Sequence, residues 1–246
     1  MADRGMIHTG TSGWSYKHWK GVFYPEDLPD RKMLGHYFGS FRTVEINSSF
    51  YRLPLQRTFE KWRDSAPEDF VFAVKASRYI THVKRLRDCG QAVENFFERA
   101  AGLGEKLGPV LFQLPPGFGP DIEKLDEFLG VLPPGRRVAF EFRHPGWFAP
   151  EVYSLLAQRR AAFCVYELAG RLSPAEITAD FVYVRLHGPG GAYRGSYSGE
   201  VLSGWAERFS AWAGEGRDIY CYFDNDEKGF AVLNAIELRD LVKKSG

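Results

Sequence analysis

Val138-Ala139-Phe140-Glu141-Phe142-Arg143-His144-Pro145-Gly146-Trp147 reads as a strand that ends on charge. Branched and aromatic residues open it, and alternate positions point to opposite faces. Val138, Phe140 and Phe142 share one face, and Ala139, Glu141 and Arg143 share the other. A carboxylate and a guanidinium therefore leave on one side, two residues apart. His144 follows, and Pro145-Gly146 stops the strand. Charged groups gathered at a strand end are costly to bury unless they are paired or at work.

Outward from this segment the same kind of run recurs. Ile7–Gly10, Thr43–Ile46, Phe70–Lys75, Val110–Leu114, Ala162–Tyr166, Phe181–Leu186 and Ile219–Phe223 are short, apolar and rich in Val, Phe and Tyr. Between them lie helical patterns. Gln91–Leu107 places Val93, Phe96, Phe97, Ala100 and Leu103 on one helix face. Lys32–Phe41, Leu125–Leu129, Val152–Arg160, Trp205–Ala213 and Ala231–Val242 read likewise. Strand–helix alternation predicts parallel strands with outer helices. Eight units in this length fit one α/β domain over 1–246, a TIM-type (β/α)8 barrel. An open doubly wound sheet is the alternative, but Gly10-Thr-Ser-Gly13 lacks the third glycine of a dinucleotide loop.

Composition narrows the class. The chain has 246 residues and a net charge of +1, so no global field draws it to nucleic acid or membrane. Cys89, Cys164 and Cys221 are odd in number and far apart, which argues against a disulfide framework or a structural zinc site. Met1–Met6 lacks an apolar leader, and no run has membrane-spanning length. A cytoplasmic protein without a membrane partner is the expectation.

With a period of two, one parity class collects polar residues at the C-terminal strand ends. These are Glu45 and Asn47, Lys75, Gln113, Glu141 and Arg143, Arg185 and His187, and Tyr222 with Asp224. A parallel barrel gathers such ends on one rim, where active sites sit. His187 and His144 are the acid/base candidates by intrinsic pKa. His82 follows the third strand beside Lys84, Arg85 and Arg87. Tyr51, Trp147 and Tyr193 follow strand ends and could line a pocket for a ring. Each has a plainer reading beside it: a closed network of ion pairs for the charges, packing for the aromatics, a solvated loop for His82. His8 reads as a core or bottom-facing histidine.

Several segments together resemble the YecE-like proteins, domain-of-unknown-function family 72. They are Gly10–Trp14, Val44–Tyr51, Phe72–Lys75 with Thr81-His82, Leu111–Pro116, Phe140–Trp147, Arg185–Gly188, Tyr222–Asp226 and Gly229–Ala235. The resemblance covers nearly the whole chain and implies a (β/α) barrel. It implies no activity, since the family's role is not established. Similar members often carry an aspartate at the end of the sixth strand, where this chain has Glu167 after Cys164-Val-Tyr. Glu167 is left outside the candidate set.

The expected function is an enzyme with metal-independent acid/base chemistry on a small sugar-like or anionic substrate. Glu45, Glu141, His187 and Asp224 are the candidate catalytic residues. Asn47, Tyr51, Lys75, His82, Gln113, Arg143, His144, Trp147, Arg185 and Tyr193 are candidates for substrate binding. No cofactor is predicted. A divalent metal on Glu45, Glu141, His187 and Asp224 is an alternative, in the manner of barrel isomerases and nucleases, although Lys75, Arg143 and Arg185 would compete with it. A nucleotide or single-stranded nucleic-acid module using Arg78, Lys84, Arg85, Arg87 and Arg194 is the third reading, not favoured by the near-neutral charge.

Overall fold

The computed structural model describes residues 4–245; residues 1–3, the start of the segment read for a leader, and Gly246 lie outside it. From the N-terminus the chain runs β1 (Ile7–Thr11), α1 (Met33–Phe38), β2 (Thr43–Ile46), α2 (Ser48–Tyr51), α3 (Gln56–Ser65) and β3 (Val71–Lys75). Next come α4 (Gly90–Ala100), β4 (Leu107–Gln113), α5 (Ile122–Gly130), β5 (Val138–Glu141), α6 (Pro150–Gln158) and β6 (Ala162–Leu168). The two-residue β7 (Arg171–Leu172) precedes β8 (Phe181–Leu186), α7 (Gly199–Gly214), β9 (Asp218–Phe223) and α8 (Phe230–Ser245). The strand order is β1-β9-β8-β6-β5-β4-β3-β2, with β7 paired to β6 off this path. Eight parallel strands alternating with helices make this a TIM-type (β/α)8 fold, as the sequence pattern predicts.

The chain packs as two units. The first takes in residues up to Glu45, Val165–Ala175 and the chain from Asp180 onward. In it, β9 lies parallel between β1 and β8, pairing Gly10 with Tyr222 and Arg185 with Tyr222. Register partners in parallel strands face the same way, so His8, Gly10, Tyr183, Arg185, Tyr220 and Tyr222 share one face. His8 stacks on Tyr220 with ring centroids 4.7 Å apart. It is buried near the start of β1, as read from sequence. α7 buries Leu202, Trp205, Ala206, Phe209 and Ala213, a stripe at helical spacing, and packs on α8. α7 begins at Gly199, six residues before the apolar stripe suggested, because Ser198 Oγ caps it by accepting from Val201 N.

The second unit is Ile46–Cys164 with Glu176–Ala179. β4 lies between β3 and β5, and the start of β6 pairs with β5. Phe112 and Phe140 are register partners whose rings stack at 5.3 Å, and Phe128 of α5 meets Phe112 edge-on at 5.2 Å. That aromatic face of β5 is the Val138–Phe142 face of the sequence reading. Gln91–Leu107 is not one helix. α4 stops at Ala100, Gly104 takes φ 57° inside a 3-10 turn, and Leu107 already belongs to β4. α3 was not foreseen: in Gln56–Ser65 Phe59 is the buried residue among mostly polar neighbours. Among the described residues no helix is long and apolar enough to cross a membrane.

Candidate functional site

In the first unit β1, β2, β8 and β9 bring one polar cluster together. Glu45 is fully buried near the end of β2. Its Oε1 accepts from Ser12 Oγ at 2.5 Å and from Arg185 Nη2 at 2.7 Å. Its Oε2 accepts from Tyr183 OH at 2.7 Å. The same Arg185 Nη2 donates to Asp224 Oδ2 at 3.0 Å, so one guanidinium bridges two carboxylates. Burying an arginine completely is tolerable only with such neutralisation. His187 Nδ1 lies 3.1 Å from Asp224 Oδ2, and its Nε2 lies 3.5 Å from Arg185 Nη1. A guanidinium can only donate, so Nε2 accepts and Nδ1 carries the proton given to Asp224. Asp224 is the member that reaches solvent: its side chain is 12% exposed, against 0% for Glu45, Arg185 and His187.

A second carboxylate stands two residues on. Asp226 Oδ1 accepts from Trp19 Nε1 at 2.5 Å, and Oδ2 pairs with His18 Nε2 at 3.0 Å. Burial raises its pKa to about 6, with the Asp224 charge pushing the same way and the Trp19 and His18 contacts opposing. Tyr16 OH donates to Ser12 O at 2.5 Å, and burial, then the charges of Asp224, Asp226 and Glu45, raises its pKa. Tyr193 is 49% exposed and meets His187 edge-on at 5.4 Å. Gly188 lets this loop turn back: at φ +107° a Cβ would lie 2.2 Å from Arg194 O. Asn225 Nδ2 donates to Gly195 O and Asn234 Oδ1, each at 2.9 Å, which ties the loop to α8.

The second unit carries its own polar group. Gln113 pairs in register with Glu141, and Lys75 with Leu111 two residues before Gln113, so the three side chains share a face. Glu141 is fully buried and ion-pairs with Arg143. Lys75 is nearly buried, its Nζ 4.4 Å from the centre of the Phe50 ring. His82 Nδ1 lies 2.9 Å from Thr81 Oγ1, and its ring meets Phe50 edge-on. Burial, then the charges of Lys75, Arg78 and Arg85, lowers its pKa. Asn47 Oδ1 is buried without a hydrogen-bond partner.

The remaining candidates are dispersed. Trp147 is fully buried, donates Nε1 to Phe118 O at 2.7 Å and stacks on Phe142 at 4.8 Å. His144 Nδ1 accepts from Gly146 N and caps the turn Pro145–Trp147. Tyr51 is 73% exposed. Three further residues of the first cluster lie outside the candidate set: Ser12, Tyr183 and Asp226. Parity could have found Tyr183, two residues before Arg185, and Ser12, two after Gly10. Asp226 stands two residues past Asp224 in the loop after β9, where a strand period no longer fixes the direction of a side chain. Glu167, outside the candidate set, is half-buried near the end of β6, where its backbone O accepts from His187 N at 2.8 Å. Burial raises its pKa.

Residues 8–246 match the family model described as "Protein of unknown function DUF72". The chain belongs to this family. Among DUF72 relatives, the UPF0759 protein YecE of Escherichia coli K12 is 33% identical over 145 residues. That match takes in 58% of this chain and 51% of YecE, so the chain spans about half of that relative's length. The UPF0759 protein YunF of Bacillus subtilis is 27% identical over 96% of this chain and 95% of its own. A crystal structure of a DUF72 protein from Thermotoga maritima matches with a TM-score of 0.88 at 32% identity, covering 97% of this chain and 99% of that one. The DUF72 resemblance read from the sequence segments is thereby established, and with it the fold class.

Proposed function

We propose that this DUF72 chain is an enzyme performing metal-independent acid/base chemistry on a small sugar-like or anionic substrate. The reaction is carried at the C-terminal strand ends of the first unit. The observation that supports this reading is a pair of neighbouring carboxylates with unlike partners. Asp224 accepts from Arg185 Nη2 and pairs with His187 Nδ1, while Asp226 is held by Trp19 and His18 and burial lifts its pKa to about 6. Two acids in such unlike settings are how one site supplies both a base and an acid. In this reading Asp224 takes the substrate proton and Asp226 returns one. His187 orients Asp224 through Nδ1–H. Glu45, enclosed by Ser12, Tyr183 and Arg185, fixes the guanidinium. Tyr193 offers an exposed ring face to a sugar-like ligand.

Arg185 also supports a reaction without a metal. Its Nη2 already occupies one oxygen each of Glu45 and Asp224, oxygens a divalent ion would use. In the second unit Lys75, Gln113, Glu141 and Arg143 stand as further proposed polar contacts, with Asn47 Oδ1 an acceptor open to a donor. A small-molecule substrate and a cytoplasmic setting suit this reading.

The test is a turnover panel of glycosides, sugar acids and sugar phosphates, run with chelator present. One class is expected to turn over in chelator, and Asp224→Asn is expected to lose about 10²-fold or more in rate with its melting temperature held. Turnover that needs an added divalent metal would replace this reading with the metal-dependent one.

A further inference from the structure

The loops that follow β3 and β4 enclose a groove of about 630 Å³ in the second unit. Lys84, Arg85 and Arg87 come from the first loop; Phe118, Asp121 and Lys124 come from the second and the start of α5. Four cations thus meet one carboxylate, in a chain whose net charge is only +1. That carboxylate is engaged: Asp121 ion-pairs with Lys124 Nζ and caps α5 by accepting from Lys124 N at 3.0 Å. Lys84, Arg85 and Arg87 have no carboxylate within ion-pair distance among the described residues.

The loop that bears them is held in an unfavourable shape. Arg85, Leu86 and Asp88 all have positive φ, at 49°, 65° and 47°. Non-glycine residues adopt this region at a cost, and such strain clusters where a loop must present side chains. Leu86 is the pin, 3% exposed, with its N donating to Ile80 O at 3.1 Å. On either side of it Arg85 and Arg87 stand exposed. Their field is felt nearby. Arg85 is among the charges that, after burial, lower the pKa of His82. Arg87 adds to the lowering of Asp121 that its bonds from Lys124 dominate.

We propose that this groove is an anion site that takes a phosphate-bearing small molecule, separate from the acid/base cluster of the first unit. Guanidinium forks match phosphate oxygens, and Arg is weakly hydrated enough to bind them directly. The volume lies within the roughly 300–1,000 Å³ of small-molecule sites. A nucleic-acid strand is the poorer fit, because it wants open aromatic faces for its bases. Phe118 is 6% exposed, edge-on to Trp147 and beneath Lys124.

Calorimetric titration of the full chain with inorganic pyrophosphate at fixed ionic strength tests the proposal. Saturable binding is expected, weakened about tenfold or more by Arg85→Gln with Arg87→Gln at an unchanged melting temperature. Arg208→Gln, an exposed cation on α7, is expected to leave binding intact. Asp224→Asn is expected to do the same, so this site stands or falls apart from the acid/base reading. Absence of saturable binding, or equal loss in Arg208→Gln, would overturn the site. A short single-stranded oligonucleotide that binds far more tightly than pyrophosphate, and is lost in the double variant, would overturn the small-molecule ligand in favour of nucleic acid.

Discussion

Glu141 and Asp226 are two carboxylates in unlike company. Glu141 is enclosed with Arg143, and neutralising one member leaves the other charge buried. Glu141→Gln is therefore expected to lower unfolding free energy by about 3 kcal/mol, read from urea midpoints. A loss under a few tenths of that would mean Arg143 finds compensation elsewhere. Asp226 acts in the opposite sense. Its folded pKa is raised to about 6, so it binds a proton more readily folded than unfolded. Its contribution to stability is present below the unfolded carboxyl value, about 4, and is lost as pH rises through about 6. Asp226→Asn should flatten the fall in stability between about pH 4 and pH 7. An unchanged slope would move the titration to another group. Tyr183 and Ser12 were legible in principle from strand parity. Asp226 was not, because its environment is made by Trp19 and His18 from a segment more than two hundred residues away, which no local pattern encodes.

At the scale of elements the strands were easier to read than the helices. β2 and β8 have the bounds the sequence suggested, and both are buried at every position although Thr43, Glu45 and Arg185 interrupt their apolar residues. α4 fell short of its pattern since Gly104 breaks the helical φ where the apolar spacing still continues. α3 escaped notice because it buries chiefly Phe59, too little for a periodic stripe. The loop 188–197 was legible as glycine-rich, but not the reason for its glycines. Gly188→Ala would drive a Cβ into Arg194 O at a left-handed φ. We expect it to cost about 2 kcal/mol and to displace Tyr193 from His187, seen as altered ring contacts by NMR. A wild-type Tyr193 environment in this variant would show that the loop does not depend on that turn.

For the whole molecule, the alternation of strands and helices carried the fold class, and the ordered motifs carried the DUF72 family. Both are global regularities that survive errors at single boundaries. The site was only half legible. Parity located polar strand ends, yet could not say which would pair with which. Arg143 pairs with Glu141, its neighbour two residues away in the same parity class, but Arg185 lies between Glu45 and Asp224 through geometry that a period of two does not contain. The proposed chemistry turns on Asp224 as base and Asp226 as acid. The deciding measurement is the pH–rate profile of wild type and Asp226→Asn on whichever substrate the panel identifies. The wild-type rate is expected to fall as pH rises through about 6, as Asp226 loses its proton, and that limb is expected to disappear in Asp226→Asn. A variant that keeps both the rate and the alkaline limb would contradict it.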